Sequence, residues 1–241
     1  MNKSYASVLL IAILLVVTPI QSQLVEDENI PAILSENPVD SHLIKLVAAL
    51  SEQAHFSRKK VTNELSPFIL INFLEKLDPV KMYFTRSDIR YFQRYRYKID
   101  DALKQGNLEP IYDIFRIYRL RVQQRLGFCV NLLLTQDHNF ESDGSYDFNR
   151  QVKNWFDDIE ELENLWQKKT HNDLLTLILA GQSKEIAIEV LEKRYRRFIR
   201  KVNLFDEEDV ISIFLNAYAH TLDPHSDRKS TRLNSSHTSI S

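Results

Sequence analysis

The chain has 241 residues, 44% of them apolar, 27% charged and 10% aromatic, with only four glycines. So few glycines exclude a phosphate-cradling loop, a dinucleotide fingerprint and a G-x-S-x-G nucleophile elbow, each of which needs them clustered. Lysine and arginine number 31 against 33 aspartate and glutamate; with residues 1–22 and 226–241 set aside, 27 bases face 32 acids, a net of −5 that argues against broad nucleic-acid or anionic-membrane binding.

Residues 1–22, MNKSYASVLLIAILLVVTPIQS, place one lysine before an apolar run from Val8 to Val17 and then break at Thr18-Pro19. That order reads as a secretory signal, with Ser22 as the residue before cleavage. The run is short of the roughly 20 apolar residues of a membrane span, and an uncleaved anchor is the alternative. No cysteine lies near the cut, which excludes a lipoprotein. Residues 23–37 read as a flexible segment.

From Val39 the apolar residues recur with the helical period, so the fold class is all-α. Leu43, Ile44, Leu46, Val47 and Leu50 form a first amphipathic helix. Ser66-Pro67 reads as an N-cap followed by proline at the first helical position, opening a helix through Leu74 that Leu77-Asp78-Pro79 stops. Thr85-Arg86-Ser87-Asp88 resembles a capping box, and the helix it starts carries Ile89, Phe92, Tyr95, Ile99 and Leu103 to Gly106. A long helix from Pro110 to about Leu134 follows, with Ile111, Phe115, Tyr118, Val122 and Leu126 on its apolar face. Residues 139–149 break the period, and aromatics flanking Asp143-Gly144 suggest one small β-hairpin. Helices resume over Asp158–Ala180, closed by Gly181, then Lys184–Asn203, and then Glu207–Thr221 with Asp206 as N-cap. One domain is expected over residues 38–225.

Candidate chemistry is sparse. None of the seven histidines has an i,i+4 partner for zinc; His171 and Asp173 are two apart and point in different directions. Cys129 sits alone in a helical apolar pattern, as a buried and inert thiol would. The basic run Lys193–Lys201 invites a nucleic-acid reading, but Leu191, Tyr195, Phe198 and Val202 share one stripe and are better read as core. Glu185, Glu189 and Glu192 are then placed to pair along that helix. The acid runs Asp157-Asp158, Glu160-Glu161 and Glu207-Glu208-Asp209 read as first-turn charges that complement the helix dipole. The expected set of catalytic, cofactor-binding and metal residues is none, and no cofactor is expected.

Longer patterns are more specific. FLEKLDPVKMYFTRSDI (73–89), IDDALKQGNLEPIYDIFRIYRLRVQQR (99–125), LWQKKTHNDLLTLILAGQSKEIAIEVLEKRYRRF (165–198) and FLNAYAHTLDPHS (214–226) follow in order. The landmarks are Leu77, Asp78, Pro79 and Phe84; Trp166, Asn172 and Asp173; the R-Y-R-R run; and Leu222 to His225. Together they resemble the N-terminal helical domain of the tail-specific, carboxy-terminal-processing serine proteases of the bacterial envelope. The resemblance implies a periplasmic location and a parent that processes envelope proteins from their C-termini. It also implies protein substrates, and an adaptor lipoprotein docked through the helical domain. Family members continue past LDPH into a PDZ domain and a serine–lysine peptidase domain. Neither has a counterpart here, so no site residue carries over and a fragment without activity of its own is expected. From Asp227 the chain reads DRKSTRLNSSHTSIS, which looks like a translated sequencing adapter, the alternative being a disordered polar tail. The other functional expectation is an independent helical binding or adaptor protein of the envelope.

Overall fold

In the computed structural model, which describes residues 31–54, 60–138, 140, 145–147 and 149–223, the periodic segments fold as eight α-helices and one 3-10 turn. They are α1 (Pro38–Ala54), α2 (Ser66–Leu77), α3 (Arg86–Phe92), α4 (Ile99–Gln105), α5 (Glu109–Thr135), α6 (Ile159–Leu179), α7 (Lys184–Asn203) and α8 (Glu207–Leu222), with the 3-10 turn at Gln93–Tyr95. Among the described residues no strand forms; one isolated parallel bridge joins Thr85 and Phe156. The signal segment 1–22, the 226–241 tail, His55, His225, His237 and most of the 139–149 hairpin lie outside the described residues.

The all-α expectation holds, and local capping explains several helix ends. Ser183 and Asp206 each accept a backbone N–H of the first turn they precede, and Asp158 accepts from Glu160. Gly106 ends α4 at φ +72°, a left-handed conformation open to glycine, and Gly181 follows α6 at φ +93°. Helix α5 forms the spine, packing on α6, α7 and α8, while α2 lies on α8 and α1 on α4. Phe73 and Phe214 meet edge to face at 5.4 Å between α2 and α8. Residues 31–37 run irregularly, tied down where Ala32 donates to the Asn203 carbonyl and Arg119 donates to that of Ala32.

Four expectations change. The helix begun at Thr85 does not run through to Gly106; it breaks at residues 93–98, and α4 starts anew. The cause is Ser66, expected as the N-cap of its own helix. Ser66 instead lies inside α2, fully buried, and its Oγ accepts the N–H groups of Ile99 (3.0 Å) and Asp100 (3.4 Å). A contact across 33 positions caps α4 and outweighs the continuous local periodicity. On α1, Ile44 and Ala48 are buried, whereas Leu43, Leu46 and Leu50 lie on the solvent side. Asp157 stands outside α6 and pairs with Arg86 at 2.6 Å rather than serving a first turn.

Candidate functional site at the Asp78 loop

The first resemblance landmark, Leu77-Asp78-Pro79, closes α2 and folds the next residues back into the molecule. Asp78 is fully buried. Its Oδ1 accepts the N–H of Met82 (2.8 Å), and its Oδ2 accepts those of Tyr83 (3.1 Å) and Phe84 (3.0 Å). Trp155 Nε1 donates to the same Oδ2 at 3.0 Å. Burial pushes the Asp78 carboxyl above its usual range, and these four donors offset only part of that rise. One carboxylate thus satisfies three loop amides that have no helix to join.

The loop so held delivers three core side chains in a row. Met82, Tyr83 and Phe84 are at most 5% exposed. The Tyr83 ring lies 5.6 Å from Tyr118, 5.4 Å from Trp166 and 6.3 Å from Phe198, so it touches α5, α6 and α7 together. Phe84 packs on Phe92 at 5.3 Å. Trp166 Nε1 donates to the Met82 carbonyl at 2.7 Å. Lys81 turns the corner at φ +55°, strained for a residue with a side chain, and its ammonium sits 5.0 Å over the Trp155 ring. The ring partners of Tyr83 lie 35, 83 and 115 positions downstream, which is why spacing alone does not reveal the cluster.

A second polar knot secures the start of α3. Thr85 and Asp88 form the expected capping box, with Asp88 donating its N–H to the Thr85 side chain and accepting from the Thr85 N–H at 2.9 Å. Arg121 of α5 binds the Asp88 carboxylate through two nitrogens, at 3.0 Å and 2.7 Å. Burial raises the Asp88 pKa, but the Arg121 and Thr85 contacts outweigh it and hold the carboxyl below its ordinary value.

Asp173 and the basic run are structural too. Asp173 accepts from Tyr195 Oη at 3.0 Å and from Lys169 at 2.8 Å, joining α6 to α7. In the basic run, Leu191, Tyr195, Phe198 and Val202 are buried as expected, and Lys193 and Arg196 pair with Glu189 and Glu192. Cys129 is fully buried, and burial pushes its thiol up to about 12, far from a reactive thiolate.

One juxtaposition is not visible in the spacing. The His138 ring, just past α5, meets the His171 ring of α6 edge to face at 5.4 Å. His138 Nε2 contacts the Leu133 carbonyl at 3.2 Å, while His138 Nδ1 and His171 Nε2 are buried without a partner. Among the described residues no group of three or more His, Cys, Asp or Glu side chains converges as a metal site would require. No described helix is long and apolar enough to cross a membrane.

The family model for the "Tail specific protease N-terminal domain" matches residues 46–228. Over 207 residues, 86% of its length, the chain is 27% identical to the tail-specific protease of Haemophilus influenzae, and it spans 29% of the length of that relative.

Proposed function

The chain belongs to the tail-specific protease family and carries its N-terminal domain, and we propose that it serves as a non-catalytic helical scaffold for an endopeptidase of the bacterial periplasm. In this reading the parent enzyme processes or degrades envelope proteins from their C-termini, and the helical domain helps to enclose the substrate and to seat an adaptor lipoprotein. The observation that carries it is the use made of the shared landmarks. Asp78, Trp166 and Asp173 all spend their polar atoms on joining one element to another. A catalytic carboxylate needs a reacting group within hydrogen-bond reach, and Asp78 has filled its surroundings with backbone amides and an indole.

A chimera tests the role. Residues 46–228 replace the matching stretch of the Haemophilus influenzae relative, and degradation of an unstructured reporter with an apolar C-terminus is followed. We expect the chimera to degrade the reporter faster than the relative with that stretch deleted; an equal rate would count against the scaffold role. For location, osmotic-shock fractionation of the source cells should release the protein with the periplasmic markers, its N-terminus beginning after Ser22. Retention with cytoplasmic markers would contradict the exported reading.

A further inference from the structure

Between α2 and the 3-10 turn lies a groove of about 630 Å³. Pro67, Leu70, Ile71 and Leu74 line it from α2, as does Phe68, 61% exposed. Tyr97, 58% exposed, and Arg96 line it as well. An exposed phenylalanine and an exposed tyrosine on one groove with leucine and isoleucine leave apolar surface in water that a ligand would cover.

Charge says what that ligand is. Arg96 lines the groove, its guanidinium lies 5.5 Å from the centre of the Tyr97 ring, and it makes no ion pair with a described residue. The neighbouring cations are differently placed: Arg94 reaches Asp113 at 3.8 Å and stacks on Tyr91, and Arg90 reaches Asp157. Arg96 is therefore the cation at this groove left open to a ligand, and its planar fork suits a carboxylate. Glu64 on the rim limits the choice by repelling a strongly acidic segment.

We infer that the α2 groove docks a peptide segment of another protein in which one carboxylate is flanked by apolar side chains. The apolar residues lie between Phe68 and Tyr97 on Leu70, Ile71 and Leu74, and the carboxylate takes the Arg96 fork. This inference stands apart from the protease reading and survives its failure. The test is fluorescence anisotropy of the full chain with a short labelled peptide of leucine and phenylalanine around a single glutamate. Its partner probe carries glutamine in that place. Saturable binding of the glutamate probe is expected, weakened about three- to five-fold by the glutamine change, as a partly exposed charge pair should be. Arg96→Gln should weaken the glutamate probe by the same factor and leave the glutamine probe unchanged, and Phe68→Ser should weaken both. Both substitutions are on the surface, so an unchanged circular dichroism spectrum shows that folding is intact. Absent saturable binding, or an Arg96→Gln effect equal on the two probes, would overturn the proposal. So would free decanoate binding more tightly than the glutamate peptide, because the groove would then be a fatty-acid site.

Discussion

Asp78 and Trp155 are 77 positions apart and meet at 3.0 Å, the indole donating to a carboxylate that already holds three loop amides. This bond ties the residues before α6 to the end of α2 and fixes where Met82, Tyr83 and Phe84 enter the core. Removing the carboxylate strands buried donors with no water to receive them. Asp78→Ala should therefore cost about 3 kcal/mol or more, and lower the melting temperature by about 10 °C. Thermal unfolding followed by circular dichroism checks it. Trp155→Phe should cost about 1 kcal/mol, because one donor leaves and the amides keep their acceptor.

The two glycines of α4 and α5 should respond in opposite directions. A Cβ on Gly106 would stand 2.6 Å from the Ser41 carbonyl oxygen, at a φ of +72°. Gly106→Ala should lose about 1–2 kcal/mol from the left-handed conformation alone, and more from the collision with α1. Gly127 lies inside α5, and a Cβ there meets nothing within 4 Å. Gly127→Ala should gain about 0.5–1 kcal/mol through helix propensity. Urea unfolding of both variants, compared at equal slope, decides both signs.

Much of this architecture could be read from the residues in order. The bounds of α5, α7 and α8 follow from apolar period and from Asp206 as cap, and the Thr85–Asp88 box is a local signal that the structure keeps. What period could not show is any contact that a distant side chain imposes. Ser66 looks like the cap of its own helix and serves another; the turn at residues 93–98 follows from that, despite an unbroken stripe from Ile89 to Leu103. The five apolar residues of α1 likewise read as one buried face, although Leu43, Leu46 and Leu50 remain on its solvent side. Trp166 is visible as part of a pattern, but its meeting with Tyr118 and Phe198 around Tyr83 needs four segments folded together.

Acid should weaken the protein through Asp88. Burial works to raise its pKa, but Arg121 and Thr85 prevail and the folded value lies below the ordinary 3.8. A depressed carboxyl adds stability that is present above the unfolded pKa and lost as pH falls through the folded one. Asp88→Asn should therefore be less stable than the parent at neutral pH, with the gap closing steadily below about pH 4. A gap that stays constant from pH 7 to pH 3 would remove this carboxylate as the source.

His171 should govern a milder window. Burial, and then the neighbouring His138, hold its pKa below 6.5. The unfolded chain thus takes up a proton before the folded one does, so stability falls as pH drops below 6.5 toward the folded value. His171→Leu should flatten that part of the profile below pH 6.5, and should also remove a buried nitrogen that has no partner. Chemical unfolding at pH 7, 6 and 5 in both proteins measures it.

The central claim is that Asp78, Trp166 and Asp173 build a scaffold without performing chemistry. The most direct measurement is the rate at which the purified chain cleaves an unstructured protein with an apolar C-terminus, read by gel and mass spectrometry over a day. The scaffold account predicts a reporter as intact as in buffer alone. Fragments that accumulate in proportion to the purified chain would contradict it.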